Sequence, residues 1–490
     1  MGIVVKQSFR NTLITFAAFG IGGINTLVLY TQFFSDAYYG LVTFLLSTAN
    51  LLMPLTAFGV QHSIVKFFST YSSKIEKDKF LTSSLFLPLL IALPMGFMGT
   101  LFYEEIGLHL SKKNSIIKEF TWVIYVVAIA AAYFEIFYAW AKVQMQSVFG
   151  NVLKEMYSRI LVMILLLLVA FDVISQKEFF YYLTAGYFLR TAIMFWYAFK
   201  LYRPKFTIQL PHNYKEVFKY ASYIILAGSA GAILLDIDKF MIPQKEVIEM
   251  AAYYAVGVYI ASVIDIPGRA MSQIVQPITA KALNDSDTMK IHELYKDTSI
   301  NLLAISGLLF LLINSNIEQA YLLIDEKFSG GVYVVLMISF AKLYTMSLGN
   351  NGAIISNSKY YKILLPYAIG MSVAVYVLND WLIGVFSMNG AALSTLLVIM
   401  LFNSIKIGYV YQKFEVQPFT KKTLFLLFCI VMFYIVFSFW DFSFHPIVNI
   451  VLKSSLIASL YVLVIYKLHI SFALNALIEK FIKGINSIFT

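Results

Sequence analysis

The feature that most constrains this chain of 490 residues is the recurrence, from one end to the other, of apolar stretches about twenty residues long. As a helix, each is long enough to cross a hydrocarbon core of roughly 30 Å. Charged residues make up 13% of the chain, against about 25% in soluble globular proteins, which excludes a water-soluble enzyme. The sequence therefore reads as an all-α polytopic membrane protein.

Hydropathy read against the charged breaks gives about fourteen transmembrane spans. They lie near 11–33, 38–60, 81–103, 119–141, 159–174, 179–199, 217–240, 252–275, 298–316, 332–355, 362–378, 387–409, 423–441 and 447–466. The first apolar run, from about Leu13 to Phe34, exceeds the 7 to 15 residues of a secretory leader core and reads as a permanent span. One cysteine, Cys429, and six scattered histidines give no disulfide or metal framework. Without a GxxxxGK[ST] run the chain has no phosphate-cradling loop, so ATP hydrolysis of its own is not expected.

Lysines and arginines are retained on the cytoplasmic side of a membrane. Here most of the 37 fall in alternate loops, for example Lys66, Lys74, Lys77 and Lys79, then Lys200, Arg203, Lys205, Lys215 and Lys219. Both termini are therefore expected in the cytoplasm. The same asymmetry accounts for the net charge of +10 without a nucleic-acid partner. Anionic membrane lipid is the expected counter-charge. The tail "SFALNALIEKFIKGINSIFT" spaces Phe472, Leu477, Phe481, Ile485 and Ile488 as an amphipathic helix lying on the inner leaflet.

An internal repeat is also visible. "FRNTLITFAAFGIGG" (9–23) and "FKYASYIILAGSAGA" (218–232) each open on an aromatic-basic pair and carry glycines three apart, Gly20 with Gly23 and Gly228 with Gly231. A tyrosine-rich opening of the next helix follows each, "DAYYGLVTF" (36–44) and "AAYYAVGVYIAS" (251–262). The second copy begins at the seventh span, and six spans preserve direction. Such a repeat gives two parallel lobes about an axis along the membrane normal, with a site between them, and the glycines are expected to let helices approach closely.

With "FSDAYYGLVTFLLSTANLLMPLTAFGVQHSIVKFFSTY", "AVGVYIASVIDIPGRAMSQIVQPITAKAL", "SLGNNGAIISNSKYYKILLPY" and "SMNGAALSTLL" in this order, nearly the whole chain resembles the multidrug/oligosaccharidyl-lipid/polysaccharide (MOP) superfamily. The likeness is to its bacterial polysaccharide-export branch in particular, the O-antigen or repeat-unit flippases. The resemblance implies a MATE/MurJ-like fold of two six-helix lobes around a central cavity, 1–215 and 216–422, with two extra helices and the tail in 423–490. It also implies transport of a lipid-linked oligosaccharide across the inner membrane.

Ionisable residues within spans are costly and each raises a functional question. Arg190, Arg269 and Lys342 cannot be placed in loops and are candidates for the anionic head group of an undecaprenyl-pyrophosphate substrate. Arginine offers a planar fork to phosphate and lysine a point charge. Structural alternatives stand beside these: Arg190 pairs with Glu135 of the fourth span, or Arg269 with Asp265 one turn away; Lys342 has no acid on its own span. Asp236 and Asp265 are candidates for Na⁺ or H⁺ coupling, while Asp238 and Lys239 read as a cluster near water. The Asp236–Asp238 spelling also occurs in metal-dependent glycosyltransferases, but it lies here in an apolar helix and is discounted. No cofactor is expected.

The stretch "GLHLSKKNSIIKE" (107–119) reads as a basic outward loop, and Tyr133, Tyr138, Tyr181, Tyr182 and Tyr187 as packing and interface anchors. Two other transport functions remain open: a cation-coupled multidrug exporter, for which the first lobe offers only Glu135 as a deep acid, and a lipid II flippase, whose expected basic residues in the first two spans are absent. An enzyme is disfavoured because no outward loop is large enough to build a catalytic surface. A polymerase or glycosyltransferase acting on the same surface polysaccharide (O-antigen of lipopolysaccharide, capsule or exopolysaccharide) is an expected partner.

Overall fold

The computed structural model describes residues 2–476 and 478–480, and among them all regular structure is helical. The helices needed below are α1 (Gly2–Ile24), α2 (Asp36–Thr56), α3 (Val60–Phe67), α4 (Lys74–Phe86), α5 (Leu89–Leu101), α6 (Ile116–Val143), α7 (Ser158–Ala170), α8 (Gln176–Leu201), α9 (Tyr214–Lys245), α10 (Glu249–Ala261), α11 (Ile266–Asn284), α12 (Thr288–Asn314) and α13 (Val332–Ser347). Their starts are written in the sequence. Ser35 and Ser73 accept from the backbone N–H groups of Tyr38 and Glu76, and Ser175 forms a reciprocal capping box with Glu178 at the head of α8.

Twelve helices among the described residues are long and apolar enough to cross a membrane, and they match twelve of the fourteen expected spans. The fifth and sixth do not qualify. The fifth is divided where a π-helical turn, Leu153–Tyr157, leads into the 13-residue α7. The sixth, α8, is 26 residues long but carries Lys177, Glu178, Arg190 and Lys200 among tyrosines and threonines.

The chain forms two compact units. The first comprises residues 1–255 and 368–388; the second, 256–367 and 389–490. In the first, α6 packs against α2, α3 and α8, and α9 packs along α2. Trp140, Phe134, Phe80 and Tyr71 are fully buried in its core. In the second, α12 packs against α11, α13 and the helix Lys421–Ser438, burying Leu303, Leu311, Ile430 and Tyr461 together.

Two local expectations change. At Gly20 and Gly231 an added Cβ would meet nothing within 4 Å, and at Gly228 it would meet Pro54 at an ordinary 3.6 Å, so at these three repeat glycines a side chain would fit and the helix approach does not depend on glycine. The glycine that geometry requires is Gly59, at the corner between α2 and α3, where φ is +64° and a Cβ would lie 2.7 Å from the Ala221 carbonyl oxygen. The 107–119 stretch is mostly helical: Tyr103–Leu110 ends in it and α6 begins in it. Most of the amphipathic tail, including Leu477, Phe481, Ile485 and Ile488, lies outside the described residues.

Candidate functional site

In the first unit, α8 carries Arg190 to a position that is 7% exposed. The expected pair with Glu135 does not form. Glu135 is taken instead by Lys154, at 2.6 Å, because the π-helical turn before α7 brings Lys154 toward α6. Arg190 lies between two rings, 4.2 Å from the Phe134 centroid and 4.7 Å from that of Tyr187, and donates to Ser158 Oγ at 2.8 Å. Its Nε has no hydrogen-bond partner. A guanidinium stacked on aromatic faces retains its charge and keeps unused donors for an anion. Arg159 of α7 is satisfied locally by Glu155, at 2.8 Å.

The same unit holds two carboxylates on α9. Asp236 accepts from Ser47 Oγ at 3.1 Å, Asn50 Nδ2 at 3.3 Å and Lys239 Nζ at 3.1 Å. Asp238, expected near water, is instead 7% exposed; Tyr254 donates to it, as does Asn379 Nδ2 at 2.6 Å. Asp236 and Asp238 are two apart on a helix and so face different neighbours. Lys239 folds back onto Asp236 rather than joining Asp238.

In the second unit, Lys342 of α13 forms an ion pair with Asp265, which stands in the short 3₁₀ turn between α10 and α11. Asp265 therefore belongs to Lys342, not to Arg269, because the 3₁₀ turn and Pro267 interrupt the regular helical spacing on which the one-turn pair depended. Lys342 is no longer a free cation. Arg269 is exposed and makes no ion pair among the described residues. No group of three or more His, Cys, Asp or Glu side chains able to hold a metal occurs among the described residues.

Sequence reading missed Lys154, Ser158, Ser47, Asn50 and Asn379. Ser47 and Asn50 carried a usable signal, two polar residues three apart in an apolar helix and hence on one face. So did Asn379, in the middle of "YVLNDWLIG". Tyr138 is buried and Tyr181 and Tyr182 are half exposed, while Tyr133 donates to the Leu85 carbonyl at 3.0 Å; these tyrosines are packing and surface groups.

Residues 4–283 match the family model described as "Polysaccharide biosynthesis protein". No curated protein sequence matches the chain. Among solved structures, the lipid II flippase MurJ in an inward closed conformation is similar over 94% of this chain and 99% of that one, at 15% identity and a TM-score of 0.72. An inward-facing multidrug resistance MATE family transporter of the MOP superfamily is similar over 82% and 94%, at 11% identity and a TM-score of 0.58. The MATE multidrug transporter DinF-BH is similar over 84% and 95%, at 12% identity and a TM-score of 0.53. At these identities the likeness establishes a MurJ/MATE-like fold.

Proposed function

The chain belongs to the polysaccharide biosynthesis protein family, and from that premise we propose that it is a flippase for undecaprenyl-pyrophosphate-linked oligosaccharide. It takes its substrate from the cytoplasmic leaflet of the bacterial inner membrane and presents it on the periplasmic one, for O-antigen, capsule or exopolysaccharide assembly. The observation that carries this reading is the family match over residues 4–283, in a chain whose fold is that of membrane transporters and not of an enzyme. The mechanism is alternating access, two lobes of six helices (1–215 and 216–422) rocking about the substrate.

Arg190 is the residue to which we assign the pyrophosphate. It keeps its charge in an apolar setting, has no carboxylate in contact, and retains an unpartnered Nε. Arg269 is a second available cation. Lys342 takes part only if it leaves Asp265. Coupling to Na⁺ or H⁺ through Asp236 or Asp265 similarly requires Lys239 or Lys342 to release its carboxylate.

The test is deletion of the gene in its host, with lipid-linked oligosaccharide measured on each face of the membrane and drug sensitivity followed in parallel. The expected result is glycolipid accumulating inside and loss of surface polymer. Wild type restores the polymer, Arg190→Gln at equal expression does not, and Arg190→Lys restores it partly. Unchanged surface glycan with greater sensitivity to cationic drugs would replace this reading with that of a multidrug exporter.

A further inference from the structure

A second feature of the first unit lies apart from Arg190 and Asp236. Residues 202–213, between α8 and α9, contain no helix, yet both ends are pinned. Tyr202 Oη donates to the buried carboxylate of Asp78 at 2.8 Å. At the other end Tyr71 donates to Asn213 Oδ1, and Glu76 accepts from the backbone N–H of His212 at 3.0 Å. Burial pushes the Tyr71 phenol up to about 12, so it remains a donor. Between the pins the sequence alternates, "KFTIQLP", and Phe206, Ile208 and Leu210 are all exposed, Ile208 fully.

This strap, α4 with the head of α5, and the first turns of α9 wall a groove of about 680 Å³. Its floor and sides are apolar, with Phe86, Leu87, Leu90, Leu210, Val217 and Phe218 among them. That volume is within the range of small-molecule sites, roughly 300–1,000 Å³. Lys215 and Lys219 stand in its wall, exposed and without an ion pair among the described residues. From Arg203 to Lys219 the basic residues are Arg203, Lys205, Lys215 and Lys219, against the single acid Glu216. An ordinary lipid-facing surface is the convex side of a helix. Here the surface is concave, apolar inside and cationic at its edge.

We propose that this groove is a binding site for an anionic phospholipid of the bilayer, its acyl chain in the groove and its phosphate against Lys215 and Lys219. The pairing of chemistry is what selects this occupant: an apolar slot needs a hydrocarbon, and two unpaired ammonium groups beside it need an anion. The inference does not depend on what the protein transports.

The test uses full-length protein in detergent, titrated with dioleoyl phosphatidylglycerol or dioleoyl phosphatidylcholine, with bound lipid counted by native mass spectrometry. The anionic lipid is expected to bind at least fivefold more tightly than the zwitterionic one. The double variant Lys215→Gln with Lys219→Gln should bring the two within twofold while leaving phosphatidylcholine binding unchanged. Ser83→Trp, which fills the groove, should remove one phosphatidylglycerol per chain, and Leu210→Asp on the strap should do the same if the tryptophan variant fails to fold. Equal binding of both lipids, a preference surviving the lysine changes, or full occupancy in both groove variants would overturn the assignment. So would displacement of the bound lipid by one equivalent of undecaprenyl phosphate, which would make the groove a seat for the polyprenyl tail.

Discussion

Arg190 and Lys342 show how differently two cations on apolar helices can be kept. Arg190 is held by rings and one hydroxyl, Lys342 by a carboxylate. Removing one member of a fully buried ion pair costs about 3–5 kcal/mol. The Lys342 and Asp265 side chains retain 22% and 20% exposure, so Lys342→Gln should cost less, about 1–3 kcal/mol. Adding Asp265→Asn should recover much of that loss, a coupling of at least about 1 kcal/mol in a double-mutant cycle read by thermal unfolding. If the two changes add without coupling, the pair does not form. Phe134→Leu should lower the stability of the Arg190 site by about 0.5–2 kcal/mol and weaken export in proportion, measured as surface polymer.

At the scale of elements, two glycines should respond oppositely. Gly59→Ala forces a left-handed residue against the Ala221 carbonyl, and a loss of about 1–2 kcal/mol is expected from the backbone alone. Gly20→Ala, in open space inside a helix, should be neutral or stabilising by up to about 1 kcal/mol. Thermal melts of the two purified variants check both. The contrast also shows what was legible in the sequence. Helices and their apolar lengths were, because hydropathy and caps such as Ser35 and Ser175 act over a few residues. The corner at Gly59 was not, since it is set by a carbonyl on α9. Nor were the long-range polar contacts: the ion-paired Asp265 and Lys342 are 77 positions apart, and the hydrogen-bonded Ser47 and Asp236 are 189 apart. Asn114 is a further case. Its side chain donates to the Pro243 and Glu246 carbonyls at 2.7 and 2.8 Å and accepts from Ile248 N–H at 3.0 Å. Asn114→Ala should therefore loosen the corner from α9 to α10, seen as faster amide exchange over residues 246–250.

For the whole molecule, the arrangement across the membrane is open to direct measurement. The only cysteine, Cys429, is buried, so the parent chain should be silent to a membrane-impermeant maleimide. A cysteine at Lys113 should label from outside intact cells and one at Lys205 only after the cells are opened; the reverse pattern would invert the proposed orientation. The broad fold was readable because the physics of the bilayer imposes it on composition. The chemistry of the site was readable only in part: sequence singled out Arg190 and offered Glu135 as an alternative partner, but the two form no ion pair because Lys154, in the π-helical turn before α7, holds Glu135.

The pairing of Lys342 with Asp265 has an electrical consequence. A membrane voltage of 100 mV exerts about 2.3 kcal/mol on one elementary charge carried across it, but it pulls equally and oppositely on the two halves of a joined pair. Any movement that keeps them together is therefore blind to voltage at this point. Only a step that parts the ammonium from its carboxylate would let the field act on either.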